Sequence, residues 1–206
     1  VTARFRTFAD VITLYGMQTP KDYIRQDLLR AAEELFFEKG YLGVSMRAVA
    51  ARSGVGLSNI YNYFRSKDEL FSSVVAPATR GLERMLDEHH GRAGHDILNM
   101  CSDSYFDFLV REYTGYINRH RRLLTILLLK ARGSSLAGYK ADFTRHATET
   151  VRVYLEEMKR RHPQLQTDIS DFSIQVHSAW IFSLFEEIIT HDIGPADVPR
   201  VVGEYM

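Results

Sequence analysis

Residues 45–69 read SMRAVAARSGVGLSNIYNYFRSKDE, and the reading of this stretch decides the fold. Ser45 is placed to cap a short helix from Met46 to about Arg52, its hydroxyl accepting from a free backbone N–H of the first turn. Ser53-Gly54 ends that helix, Gly54 supplying a left-handed turn without a Cβ penalty. A second short helix runs from about Leu57 to Tyr63, and two short helices across such a turn make a helix-turn-helix. Ala50 is small enough to let the two helices pack closely, and Val49, Val55 and Ile60 form the apolar plug that fixes their angle. Leu57, Ser58, Asn59 and Tyr63 then point outward, at the height where a DNA major groove receives such a helix. Next, Ser66-Lys67-Asp68-Glu69 is a capping-box pattern. It opens a longer helix to about His89, with Pro77 inside it as a kink.

Upstream, Thr19-Pro20 reads as a helix start, with Asp22 in the first turn. Ile24, Leu28, Ala31, Ala32 and Leu35 recur at helical spacing to about Glu38, and Lys39-Gly40 is a suitable stop. Downstream, His90–His95 reads as a loop. No proline occurs from residue 78 to 162, and helices are predicted at about 96–118, 121–131, 139–161 and 168–191. Gly133-Ser134-Ser135 and His162-Pro163 are the connectors. After Gly194-Pro195 a further helical pattern (Val198, Val201, Val202, Tyr205) stops at Met206, either fraying there or cut inside a helix. With no strand alternation and no internal repeat, the fold class is all-α. A three-helix helix-turn-helix domain over 20–75 follows an N-terminal extension, 1–19. An antiparallel helical bundle fills 76–206.

The chain has 206 residues, 45% of them hydrophobic and 25% charged, which is ordinary globular usage. The longest near-apolar run, Leu123–Leu129, falls far short of a bilayer span, and no secretory leader pattern is present. The expectation is a cytoplasmic protein with no membrane partner. A lone Cys101 excludes an intrachain disulfide framework. Net charge is zero, yet the average hides an asymmetry. Residues 1–80 carry 11 basic and 8 acidic side chains, residues 81–206 carry 15 and 18. From Lys39 to Lys67 there are five basic residues (Lys39, Arg47, Arg52, Arg65, Lys67) and no Asp or Glu, a composition suited to a positive face toward a polyanion.

The run Phe36-Phe37-Glu38-Lys39-Gly40-Tyr41, then Ser45, Ala50 and Gly54-Val55, then Ile60-Tyr61-Asn62-Tyr63-Phe64 and Ser66-Lys67-Asp68-Glu69-Leu70, resembles the TetR family of bacterial transcriptional regulators. The resemblance covers about residues 20–75. It implies a regulator, expected to be a repressor, that binds palindromic double-stranded DNA as a homodimer and lets go when a small molecule enters the C-terminal bundle. Physical roles can be assigned beside it. Ser45, at a helix N-terminus, offers hydroxyl and backbone donors to a phosphate. Lys67, in the first turn of the long helix, is placed to join that helix's dipole on another phosphate. Tyr63 brings a phenol to the same side, where the resemblance implies a backbone contact. Tyr61 and Phe64 are read as core. Arg47, Ser58 and Asn59 are the candidates for base edges, asparagine pairing bidentately with adenine. Where many relatives have Lys or Arg near the start of the reading helix, this chain has Gly56-Leu57, which removes a strong guanine contact. In the N-terminal extension, Arg4 and Arg6 suit a minor-groove arm. Val11, Ile12, Leu14 and Tyr15 suit packing on the domain, and a disordered tail is the third reading.

Helix 168–191 is apolar nearly all round, so it must be buried on more than one side. One side serves its own bundle and the other a partner subunit, as the resemblance implies. Aromatic residues crowd 96–118. Ser104, Tyr105, Phe108 and Glu112, with Trp180, are the candidate lining of an apolar or aromatic effector pocket, although plain core is the ordinary reading of such residues. Pro77 is the candidate hinge. An enzyme is not expected: Cys101 lacks a base and reads as core, no Glu-x-x-His or phosphate loop occurs, and Asp87-Glu88-His89-His90 with His95-Asp96 reads as a solvated helix end rather than a metal site. No cofactor and no metal are expected. The competing function is a helix-turn-helix protein with no small-molecule ligand, controlled by protein partners or by occupancy.

Overall fold

The computed structural model describes residues 20–91, 94–166 and 168–206. The proposed cap Thr19, the arm residues Arg4 and Arg6, and Val11, Ile12, Leu14 and Tyr15 lie outside these. Among the described residues there are nine α-helices and no strand. They are α1 Pro20–Lys39, α2 Met46–Ser53, α3 Leu57–Ile60, α4 Lys67–His90, α5 Ile97–Met100, α6 Asp103–Leu124, α7 Tyr139–Arg161, α8 Asp171–Thr190 and α9 Val198–Tyr205. A π-helical turn, Thr125–Leu129, continues α6.

Local chemistry sets the boundaries of the first four helices. The Ser45 hydroxyl accepts from the Ala48 N–H at 3.1 Å. Gly40 and Gly54 close α1 and α2 with φ of 68° and 71°, the left-handed region where a Cβ is costly. The capping box is real but shifted: Ser66 Oγ accepts from Glu69 N–H at 3.1 Å, while Glu69 Oε2 accepts from Arg65 N–H, one residue before the cap, at 2.7 Å. Helix α3 is shorter than its sequence suggests. After Ile60 the chain tightens, with Asn62 N–H bonding to Asn59 O and Tyr63 N–H to Ile60 O, three residues back.

The larger half departs from expectation at two joints. The predicted helix 96–118 is interrupted at Cys101-Ser102, because the Ser102 hydroxyl caps a new helix by accepting from Tyr105 N–H at 3.2 Å. The predicted gap between 118 and 121 is absent. Helix α6 runs through it to Leu124 and ends in the π turn that buries Ile126 and Leu127. Cys101 is exposed rather than core.

Helices α1–α4 close around Leu28, Phe36, Val49, Ile60, Phe64 and Phe71. Burying each large side chain of this set is worth about 1.5–3 kcal/mol. Helix α4 then passes through residues 75 and 76 without a break, with Pro77 inside it, so both halves share one rod. It packs against α6 at close range: a Cβ on Gly81 would meet the Tyr116 ring at 2.6 Å, and the Tyr116 hydroxyl donates to Ala78 O at 2.8 Å. Further contacts tie α1 and its loop to the far half. Arg122 pairs with Glu33 at 2.9 Å and lies over the Phe37 ring, Tyr41 N–H donates to Lys130 O at 2.9 Å, and Ser135 N–H donates to Asp68 at 2.8 Å. Helices α7 and α8 pair along their length and complete the bundle.

Candidate nucleic-acid interface and ligand cavity

Helices α2 and α3 present one contiguous outer surface. Ser45, Arg47, Leu57 and Ser58 are exposed and Asn59 is half-buried, while Val49 and Ile60 are fully buried beneath them, with Val55 packed against their cluster. The plug read from sequence is therefore in place. The Asn62 amide donates to Asn59 Oδ1 at 3.0 Å, which steadies the Asn59 side chain. Tyr63 packs partly against the domain core.

Three features differ from the sequence reading. Tyr61, expected in the core, is 51% exposed, whereas Phe64 is 1% exposed. The early end of α3 turns Tyr61 to the outside beside Ser58. Second, the Lys67 ammonium does not stand free. It donates to Tyr41 O and Val44 O, both at 3.0 Å, and lies 4.0 Å from the centroid of the Tyr41 ring. Two of its three N–H donors therefore brace the loop before α2. Third, the stretch free of acids in sequence is not free of them in space. Helix α1 brings Glu34 and Glu38 to Arg52, at 3.0 and 3.4 Å. Arg47 and Arg65 of the same stretch are exposed. Arg25, which the sequence reading passed over, joins them with its guanidinium 5.2 Å from the Phe64 ring centroid.

In the far half the core divides. One cluster runs from the α1–α4 domain to Leu82, Met85, Phe182 and Phe185, and a second gathers Tyr154, Leu155, Met158 and Ile174. Between them lies a cavity of about 410 Å³ walled by α4, α5, α6, α7 and α8. Of the five residues proposed to line it, Tyr105 and Trp180 do. Ser104 is exposed and bonded to Ser102, and Phe108 is 38% exposed, both off the wall because Tyr105, Leu109 and Tyr113 form the inward stripe of α6 and these two stand one residue round from it. Glu112 stands one layer behind: its carboxylate binds His89 Nε2 at 2.5 Å, and the Tyr105 hydroxyl meets His89 Nδ1 at 2.5 Å.

At the C-terminal end of α4, read as solvated, Asp87 and Glu88 are exposed as expected, while His89 and His90 turn inward. His89 is 3% exposed, and His90 lines the cavity with its Nδ1 buried and without a hydrogen-bond partner among the described residues. Burial, helped by neighbouring His89 and His177, pushes the His90 imidazole down to about 4. The Tyr105 and Tyr113 phenols are pushed up by burial and stay protonated. No short-range spacing signals this pair of histidines, since α6, α7 and α8 bury them from far along the chain. Trp180, the single tryptophan of the chain, stacks on Tyr205 with centroids 4.4 Å apart.

Comparison with known proteins agrees with this architecture. Residues 28–74 match the model of the bacterial regulatory proteins, tetR family. The chain is 31% identical over 108 residues to the HTH-type transcriptional activator FasR of Mycolicibacterium smegmatis, covering 49% of this chain and 47% of the relative. It is 33% identical over 95 residues to an HTH-type transcriptional repressor of Mycobacterium tuberculosis, covering 46% and 49%. The matched part thus spans about half the length of these curated relatives. Among solved structures, NalD of Pseudomonas aeruginosa, the secondary repressor of the MexAB-OprM multidrug efflux pump, superposes with a TM-score of 0.64. That match covers 89% of this chain and 96% of that one at 22% identity, which establishes a common fold. The relatives are transcriptional regulators rather than enzymes. Residues 28–74 thus carry a helix-turn-helix domain of the kind found in the bacterial regulatory proteins, tetR family.

Proposed function

We propose that the chain is a transcriptional repressor that binds palindromic operator DNA as a homodimer and is released when a small apolar or aromatic molecule enters the cavity between α4 and α8. One observation carries the reading. A braced helix-turn-helix with exposed Ser45, Arg47 and Ser58 beside half-buried Asn59 is joined by the continuous α4 to the wall of that cavity. In this reading Ser45, Tyr63 and the exposed cations hold phosphates and set register, while Arg47, Leu57, Ser58 and Asn59 meet base edges. Lys67 acts mainly by holding the loop that positions Ser45, with its remaining N–H directed to a phosphate. Tyr61 is added to the backbone contacts by its exposure.

Dimerisation is assigned to α8. Phe172 is 74% and Val176 50% exposed, and with Ala179 and Ser183 they follow one helical stripe. A two-fold pairing along that stripe presents two heads to a two-fold operator. Ligand controls affinity if it favours one spacing of the heads over the other, and Pro77, inside the shared rod, is the proposed hinge. The test is duplex binding by the full chain across a salt series. Affinity is expected to fall steeply with salt, with a log–log slope set by the number of phosphates neutralised. Absence of binding to any duplex at low ionic strength contradicts the proposal.

A further inference from the structure

The turn between α1 and α2 leads the chain to Ser45, and it is gripped from the far half of the molecule. Lys130, directly after the π turn that continues α6, takes hold of it at two atoms. Were α1 to continue, Tyr41 N–H would bond to Phe37 O, four residues back. Gly40, in the left-handed region, breaks that bond, and Lys130 supplies a new partner to each half. Its carbonyl accepts from Tyr41 N–H at 2.9 Å, and its ammonium donates to Phe37 O. The charge also suits the negative end of the α1 dipole. Its Nζ lies 5.1 Å from the Phe37 ring centroid, so the half-buried side chain is turned to the head.

Tyr41 passes the grip on. Its ring is buried against Phe36 and Phe71, and its carbonyl accepts from Lys67 at 3.0 Å. Val44, the residue before Ser45, donates its N–H to Tyr41 O at 3.3 Å and offers its own carbonyl to Lys67. A continuous run of hydrogen bonds therefore leads from Lys130 through Tyr41 and Val44 to the start of α2. Lys67 holds this turn from within the head, whereas Lys130 reaches it from the bundle, 93 residues along the chain from Phe37.

We propose that Lys130 is a positioning residue for DNA binding, fixing the α1–α2 turn from the bundle side so that Ser45 keeps its place at a phosphate. This rests on the DNA-binding reading given above and adds a residue that works through the turn rather than through the DNA. The full chain is compared with Lys130→Met and Lys130→Arg. Met keeps an apolar stem over Phe37 and loses the donor, while Arg keeps both charge and donors. Two readouts are taken: amide hydrogen exchange of residues 40–45, and binding across a salt series to duplexes enriched from a random pool and to a scrambled duplex. In Lys130→Met, Tyr41 and Val44 amides should exchange about tenfold faster, and every duplex should bind about five- to tenfold more weakly. The log–log salt slope should stay unchanged, and Lys130→Arg should recover most of both losses. The inference is overturned if exchange or affinity in folded Lys130→Met matches the parent, or if Arg recovers neither. It is equally overturned if the salt slope falls by about one, which makes Lys130 itself a phosphate contact. A Lys130→Met chain shown by circular dichroism to be unfolded also overturns it, since the lysine then supports the whole fold. Faster exchange in Lys130→Met beside a parent that binds no duplex contradicts the DNA-binding reading and leaves the grip on the turn standing.

Discussion

Asn59 and Lys67 differ in what holds them. Asn59 is steadied by Asn62, so Asn59→Ala should change which sequences are preferred, by about 1–3 kcal/mol at the base pair it reads. Lys67 is held by two backbone carbonyls at the turn before α2. Lys67→Met should lower folding stability by about 1.5–3 kcal/mol, since hydrogen bonds to a charged group are lost, and should weaken all duplexes alike. Urea unfolding and binding to a panel of duplexes separate the two cases, and equal sequence-independent losses from both would contradict this division. Ser45, Gly54 and Ser66 are legible in the sequence because each acts within three or four residues of itself. Tyr61 and Lys67 are not: the side each takes is set by where α3 ends and by the distant carbonyls of Tyr41 and Val44.

At the scale of the element, Gly54 and Gly56 make a controlled pair. Both have open space where a Cβ would sit, but Gly54 has φ of 71° and Gly56 has φ of −57°. Gly54→Ala should therefore cost about 1–2 kcal/mol from the left-handed backbone alone, while Gly56→Ala should be close to neutral. Thermal or urea denaturation reads both, and equal effects would mean that conformation is not what Gly54 contributes. Helix periodicity located α1, α2, α4, α7 and α8 well, because their apolar faces repeat over several turns. It failed at α6, where the polar run Ser102-Asp103-Ser104, a cap signal overridden by the flanking apolar repeat, starts a new helix and the π turn hides its end. The exposed stripe on α8 belongs to this scale too. Val176→Glu should shift the chain toward monomer in sedimentation, with little change in helical content, and an unchanged dimer would place the interface elsewhere.

For the whole molecule, the two halves are one mechanical object, joined by α4 and by the contacts of Arg122, Lys130 and Ser135 with the head. The cavity was foreseen only as a crowd of aromatics, since its polar end is assembled from the end of α4 and three helices remote in sequence. Burial of neutral His90 ties stability to pH. Its value is 6.5 when free and about 4 in the fold, so the unfolded chain binds the proton more readily. Stability is then unaffected above about pH 6.5 and falls as pH drops toward 4, by at most about 3 kcal/mol. Comparing urea midpoints of the parent and His90→Phe across that range should show a shallower acid loss in the variant, and parallel curves would show that His90 is not the group responsible.

The claim that α2 and α3 form an exposed head reading duplex DNA in symmetric pairs is tested most directly by selecting bound duplexes from a random pool with the full chain. An enriched inverted repeat, lost in Asn59→Ala and Arg47→Ala, is the expected result. A pool that emerges unenriched at low ionic strength, or a motif without two-fold symmetry, would contradict it.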